Sequence, residues 1–144
     1  MVLSAYKNSS DLVFRVMFSL IFIVGGLGHF GQHEHMLGRI QASPWLDLVL
    51  SIGSPSLLLK LSGVALIIGG LSLLSGLYTR LSALVLFLTL TPITFVIHIA
   101  PDHTGPLLKN IAILGGLIHF FFNGAGHYSL DRHIDNINRR RIKV

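Results

Sequence analysis

Long apolar runs alternate with short polar breaks along the chain. Four of the runs are about 20 residues long, which is the length an α-helix needs to cross the apolar core of a bilayer. They cover residues 12–30, 56–78, 81–100 and 107–126. A helix satisfies its backbone hydrogen bonds internally, as lipid requires. The pattern therefore predicts an all-α membrane protein, a four-transmembrane-helix bundle forming a single domain over residues 1–144, with a basic C-terminal tail.

The longest break between spans, residues 31–55, has an apolar stretch of its own. Its middle reads SPWLDLVLSIGSP, which is too short to cross a bilayer. Ser43 suits a helix N-cap and Pro44 the first helical position. Trp45 is a residue that favours the membrane interface. We predict a short interfacial helix in this first loop.

Composition narrows the chemistry. Charged residues make up 12% of the chain and hydrophobic residues 51%, with a mean hydropathy of +0.70, whereas soluble domains carry roughly 25% charged residues. The chain has no cysteine, which excludes disulfides, thiolate-held clusters and thiol catalysis. The net charge of +5 comes largely from the C-terminus. We therefore expect it to contact lipid headgroups rather than nucleic acid.

Basic residues also predict the orientation. With four spans, both termini and the second loop lie on one side of the membrane. That side holds most of the basic residues: Lys7, Arg80, Arg132, Arg139, Arg140, Arg141 and Lys143. The positive-inside rule then predicts that both termini are cytoplasmic.

Polar residues recur at helical spacing within the spans. Because polar groups are costly in lipid, such a face is expected to turn toward the bundle interior. In the first span, residues at steps of three or four are Arg15, Ser19, Phe22, Gly26, His29 and His33. In the second span they are Lys60, Gly63, Ile67 and Gly70, and in the third Thr91, Thr94 and His98. In the fourth span they are Lys109, Ala112, Gly116, His119 and Asn123. We predict that these four faces meet at the bundle axis.

A helix rises about 1.5 Å per residue, which places two polar groups at different depths. His29, Lys60, His98 and Lys109 lie near the end of the spans that is predicted to face outward. Histidine and lysine can donate hydrogen bonds to a quinone carbonyl or a small anion. Alternatively, the cluster could bind a metal or haem b, with His29, His33 and His98 as candidate ligands. A third alternative is a structural role, in which these residues form hydrogen bonds between helices.

The second polar group lies toward the other end of the bundle. It consists of Arg15, His119 and Asn123. A charge within a span usually has a partner, and Asn123, His127 and Asp131 are candidate partners for Arg15. No hydrolytic triad, P-loop or dinucleotide fingerprint is present in the sequence.

Three stretches of the chain resemble the DoxX/DoxD-like family of small bacterial membrane proteins. They are Arg15 with Phe22 and Gly25–Gly26, the segment GGLSLLSGLYTRLSALVL at residues 69–86, and the segment KNIAILGGLIHFFFNGAGHYSLDRHID at residues 109–135. The resemblance covers roughly residues 12–135. Two positions depart from the family pattern: His29 stands where lysine is common, and His127 where arginine is common.

The resemblance implies a multi-pass protein of the bacterial inner membrane. The members that gave the family its name look like subunits of a thiosulfate:quinone oxidoreductase. We therefore predict a membrane subunit that supports quinone-linked redox chemistry with a separate catalytic partner, since no resident cofactor is evident in the sequence. The alternatives are a non-catalytic scaffold or assembly factor and a small-solute transporter. Homo-oligomerisation is also left open.

Overall fold

Helices account for all the regular structure in the part of the chain that the computed structural model describes, residues 2–98 and 104–141. There are seven: α1 (Val2–Gly31), α2 (His33–Gln41), α3 (Leu46–Ile52), α4 (Pro55–Ser75), α5 (Thr79–His98), α6 (Thr104–Asn123) and α7 (Leu130–Arg141). Four of them, α1, α4, α5 and α6, are long and apolar enough to cross a bilayer. The prediction of an all-α protein with four transmembrane helices is confirmed.

The helix ends differ from the predicted bounds where glycines stop the helix. α4 ends at Ser75 rather than at 78, because Gly76 takes a left-handed conformation (φ +67°) and its N–H donates to the carbonyl of Leu73. α6 ends at Asn123 rather than at 126, and Gly124 follows it with φ +73°. α1 begins at Val2, ten residues before the predicted span, because polar residues continue the helix beyond the apolar run. The predicted end of the third span, residue 100, lies outside the described residues.

The first loop contains two short helices where one was predicted. α2 was missed because its sequence, HEHMLGRIQ, is polar on average. α3 begins at Leu46, two residues later than Ser43 and Pro44 suggested. The Ser43 hydroxyl accepts a hydrogen bond from the N–H of Trp45 and donates one of 2.6 Å to the carbonyl of Val96. That bond fastens the loop to the end of α5.

α1 and α4 make the most extensive helix pair, and glycines allow it. A Cβ on Gly26 would lie 2.8 Å from the carbonyl oxygen of Gly63, and one on Gly63 would lie 2.9 Å from the Cβ of His29. Side-chain-free positions at this crossing let the two backbones approach closely, as is common in membrane helices. The predicted face of α1 is confirmed as far as the helix extends, since Arg15, Ser19, Phe22, Gly26 and His29 are all buried. His33, the last residue of the predicted face, begins α2 and is half-buried.

The predicted inward face of α6 is wrong. Lys109, Ala112, His119 and Asn123 are exposed, whereas the buried residues are Asn110, Ile113, Leu117 and Phe120. The helix is rotated by about one residue from the face that its charged and titratable side chains indicated. Long polar side chains reach water from the edge of a helix, so they marked the edge of this face and not its centre.

An apolar core separates the two ends of the bundle. It is built from Phe18 and Phe22 of α1 with buried leucines and aromatic residues of the other spans. We refer to the two sides of this core as the His29 end and the Arg15 end. The start of α1 and the start of α7 lie at the Arg15 end, because α1 runs from Arg15 toward His29 and an even number of spans brings the chain back.

Three separate segments are joined at the Arg15 end. The guanidinium group of Arg15, which is 2% exposed, donates to the carbonyls of Ala125 and Tyr128. The carboxylate of Asp131 accepts hydrogen bonds from the N–H groups of Tyr78 (2.7 Å) and Thr79 (2.9 Å). The first turn of α5 is thereby capped by a residue from the start of α7. Arg15 thus donates its hydrogen bonds to backbone carbonyls and not to the side chain of Asn123 or His127. Of the three predicted partners, Asp131 interacts with Arg15 through its charge.

Candidate functional site

A cavity of about 660 Å³ lies at the His29 end of the bundle. The four spans form its walls, and residues of α2 and α3 line its outer side. Most of its lining is aliphatic or aromatic, and Phe22, Leu66, Leu90 and Ile113 of the apolar core line its inner part. Its volume lies in the range of small-molecule sites, which are concave, largely apolar and furnished with a few polar groups.

His29 is a buried polar residue of this cavity, and its hydrogen bonds show which ring nitrogen carries the hydrogen. It is 7% exposed, and Nδ1 lies 3.1 Å from the carbonyl oxygen of Leu59 and 2.9 Å from the hydroxyl of Ser62. A carbonyl only accepts, so Nδ1 carries the hydrogen. Nε2 has no hydrogen-bond partner among the described residues, and in the neutral ring it is an acceptor.

The other predicted site residues divide into two groups. His98 and Lys109 line the cavity together with His29. Lys60 does not line it and is exposed. His33 lies on the α1–α4 side, where Nε2 is 3.0 Å from the hydroxyl of Ser56 and Nδ1 is 3.3 Å from the carbonyl of His29.

Four polar residues of the cavity were missed by the sequence interpretation: Arg39, Ser62, Thr89 and Asn110. Asn110 is buried, and its amide donates to the hydroxyl of Thr94 at 3.0 Å. The signal for Asn110 was its position in an apolar span, but the neighbouring Lys109 was taken to mark the inward face. Arg39 lies in α2, which was predicted as loop.

Metal ligands are not clustered in the described part of the chain. No group of three or more His, Asp or Glu side chains comes together there. His29 and His98, two of the residues of the predicted haem b alternative, both line the cavity.

The second predicted polar group lies in a separate groove of about 1220 Å³ at the Arg15 end. His119 and Asn123 line this groove, and the amide of Asn123 donates to the carbonyl of His119 at 2.9 Å. Arg15 is buried beneath the groove and is held by the carbonyls described above. The three residues therefore do not form one site around Arg15.

α1 and α6 are held together mainly by aromatic rings. Phe14 and Phe18 lie 5.2 and 5.5 Å from Phe120, centroid to centroid. These ring contacts lie toward the Arg15 end. Toward the His29 end, Gly25 of α1 and Lys109 of α6 both line the cavity. A Cβ at Gly25 would meet no atom within 4 Å, so Gly25 faces open space.

Comparison with known proteins agrees with this architecture. The family model DoxX matches residues 10–99. The chain belongs to the DoxX family. It is also 30% identical over 124 residues to inner membrane protein YqjF of Escherichia coli (strain K12), covering 84% of this chain and 88% of that protein. No solved structure matches it.

The DoxX match spans α1 to α5 up to residue 99, so it includes most of the cavity wall. Lys109 and Asn110 of α6 lie beyond it. With four transmembrane helices and an inner-membrane relative, this DoxX protein is a multi-pass protein of the bacterial inner membrane.

Proposed function

We propose that this DoxX protein is a membrane subunit that binds a quinone in the cavity at the His29 end, in support of a redox partner protein. The observation that carries the proposal is the cavity itself: an apolar chamber of about 660 Å³ with His29, Arg39, His98 and Lys109 on its wall. A quinone has an apolar ring, which suits the apolar walls, and oxygens at its edge, which can form hydrogen bonds with these polar side chains.

His29 has a defined role in this proposal. Its Nδ1–H is held by the Leu59 carbonyl and the Ser62 hydroxyl, which fixes the ring and aims the basic Nε2 away from α4. In the neutral ring, Nε2 accepts a hydrogen bond from a quinol hydroxyl. In the protonated ring, it donates to a quinone oxygen. Reduction of the quinone consumes two protons and two electrons, and the partner protein supplies the electrons.

The open space at Gly25 supports entry from the bilayer. A quinone is carried in the membrane by its apolar tail, so a lateral opening beside Gly25 and Lys109 suits it better than a path through water. We place both chain termini in the cytoplasm on the basic residues of the Arg15 end, so the cavity opens in the outer half of the membrane.

Filling the cavity is the direct test. Gly25→Phe puts a ring into open space beside His29, so it is expected to weaken binding of decylubiquinone to the purified protein about tenfold, equivalent to about 1.4 kcal/mol. The matched control is Gly115→Phe, because Gly115 also has open space around its Cβ and does not line the cavity. Bound quinone is measured by extraction and chromatography after equilibrium dialysis.

A pair of lysines provides the second control. Lys60 and Lys109 are both exposed, but only Lys109 lines the cavity, so Lys109→Gln removes a donor from its wall and Lys60→Gln does not. Loss of affinity in the first variant alone supports the site. Equal affinities in wild type and Gly25→Phe, or no quinone bound to wild type, would contradict the proposal.

A non-catalytic scaffold is the second candidate, and one observation favours it. Arg15, His29 and His33 each bond to backbone or hydroxyl groups of neighbouring segments, as purely structural polar residues in a membrane do. A wild-type protein that binds no quinone but co-purifies with a redox complex would favour this function.

A further inference from the structure

α7 has an amphipathic pattern that the bundle covers only in part, since Ile134 lines the groove at the Arg15 end whereas Leu130 and Ile137 do not. Leu130, Ile134 and Ile137 recur at steps of four and three, so their side chains share one face of the helix. They are 45%, 43% and 42% exposed. An apolar stripe that stays partly exposed on a helix outside the membrane spans needs an apolar surface to contact.

The charges of α7 have a sign that complements one kind of surface. Its sequence contains four arginines, Arg132 and Arg139–Arg141, against two aspartates. One of these, Asp131, is engaged by the N–H groups of Tyr78 and Thr79. The remaining helix is strongly basic, and Arg132, Arg139 and Arg140 are exposed.

The position of α7 is fixed by the same contacts. Asp131 accepts from the first turn of α5, and its own N–H donates to the carbonyl of Gly76 at 2.9 Å. The start of α7 is therefore pinned to the end of two transmembrane helices and cannot swing far from the bilayer surface. A basic amphipathic helix held at that level meets lipid headgroups before any other partner.

We propose that α7 lies in the interface of the leaflet at the Arg15 end and binds anionic phospholipid. The stripe of Leu130, Ile134 and Ile137 enters the acyl boundary. Arg140 flanks the stripe and contacts phosphate groups, whereas Arg132 and Arg139 lie on the opposite face and add longer-range attraction to the anionic surface. Each basic side chain near an anionic surface strengthens association about fivefold. This proposal does not depend on the quinone cavity, which lies at the opposite end.

Spin labels can measure the depth of α7, because the chain has no cysteine and a single introduced cysteine is labelled uniquely. Ile137→Cys probes the apolar stripe, and the matched control Asn136→Cys probes a neighbouring face. Each full-length variant is placed, one copy per disc, in nanodiscs of phosphatidylglycerol with phosphatidylcholine or of phosphatidylcholine alone. Collision of the label with oxygen is compared with collision with a water-soluble nickel complex.

In discs that contain phosphatidylglycerol, the label at 137 is expected to collide mainly with oxygen and the label at 136 mainly with nickel. The double substitution Arg139→Gln with Arg140→Gln should lower the equilibrium constant for burial of the label at 137 about 25-fold. Equal nickel access at both positions would overturn the proposal. So would burial that is the same without anionic lipid, or that appears only in discs holding two copies.

Discussion

At the residue scale, the polar side chains of this membrane protein are mostly used to join segments. Arg15 illustrates this: its guanidinium group donates to two backbone carbonyls that lie beyond the end of α6. Those carbonyls belong to a turn with Gly124 and Gly126 in left-handed conformations, so no helix satisfies them. A buried arginine provides several donors in a fixed plane, which suits it to such a turn.

Asp131 performs the matching task for donors. It accepts hydrogen bonds from Tyr78 and Thr79, and Tyr78 is itself held at a positive φ of 48°. Backbone groups in such a turn need partners from elsewhere in the chain, because the preceding helix has already ended.

Replacing Asp131 is therefore expected to destabilise the protein. Asp131→Ala leaves two N–H groups at the start of α5 without their acceptor, which should lower the free energy of unfolding by about 2 kcal/mol. Asp135→Ala is the matched control, since Asp135 lies one turn later in α7 and is exposed. Unfolding is followed by circular dichroism during titration with sodium dodecyl sulfate in mixed micelles. Equal unfolding midpoints for the two variants would show that the cap is not important.

At the element scale, glycine positions decide how closely the helices pack. Gly26, Gly63 and Gly70 lie at the α1–α4 crossing, and a Cβ at any of them would come within 3 Å of an atom of the facing helix. Gly115 is also a helical glycine, but a Cβ added there would meet no atom within 4 Å. The sequence presents these glycines alike, and only the packing distinguishes them.

We expect Gly63→Ala to separate α1 from α4. The added methyl group would lie 2.8 Å from the ring of Phe30 and 2.9 Å from the Cβ of His29, which should cost about 2 kcal/mol by overpacking. Gly115→Ala should leave stability unchanged or raise it slightly, because alanine is the better helix former. Thermal unfolding of the two purified variants in the same detergent measures the difference. A Gly63→Ala protein as stable as wild type would contradict the close approach.

At the scale of the whole molecule, the bundle has one apolar cavity and one polar groove at opposite ends, with the apolar core between them. The four spans are not equivalent neighbours. α1 packs on α4, α4 on α5 and α5 on α6 through their backbones, while α1 and α6 meet mainly through phenylalanine rings.

The orientation proposed above can be tested with single cysteines. Asn8→Cys lies near the chain start at the Arg15 end, and Gly38→Cys lies in α2 at the His29 end, where its Cβ meets open space. In intact spheroplasts, a membrane-impermeant maleimide should label the cysteine at 38 and not the one at 8. Permeabilised cells, in which both should react, are the control. Labelling at 8 alone would reverse the orientation.

The prediction of helix faces succeeded for α1 and failed for α6, for a physical reason. In α1 the polar and small residues lie on one narrow stripe. Exposing this stripe to lipid would cost free energy, so it faces the interior of the bundle. In α6, Lys109, His119 and Asn123 can reach water or headgroups from an exposed edge, whereas Asn110 can only be satisfied inside, by Thr94. Periodicity of polar residues does not distinguish these two cases.

By itself, the sequence determined the number of spans, their approximate limits, the basic end of the protein and the family resemblance, because hydropathy and charge act locally and lipid imposes helices. Only the tertiary structure decided that Lys60 lies away from the cavity, that Asn110 and Arg39 contribute to it, and that Arg15 and Asp131 join distant turns. These facts depend on how each helix is rotated and how closely it packs. Rotation and packing are set by contacts between residues far apart in the chain, which no local pattern contains.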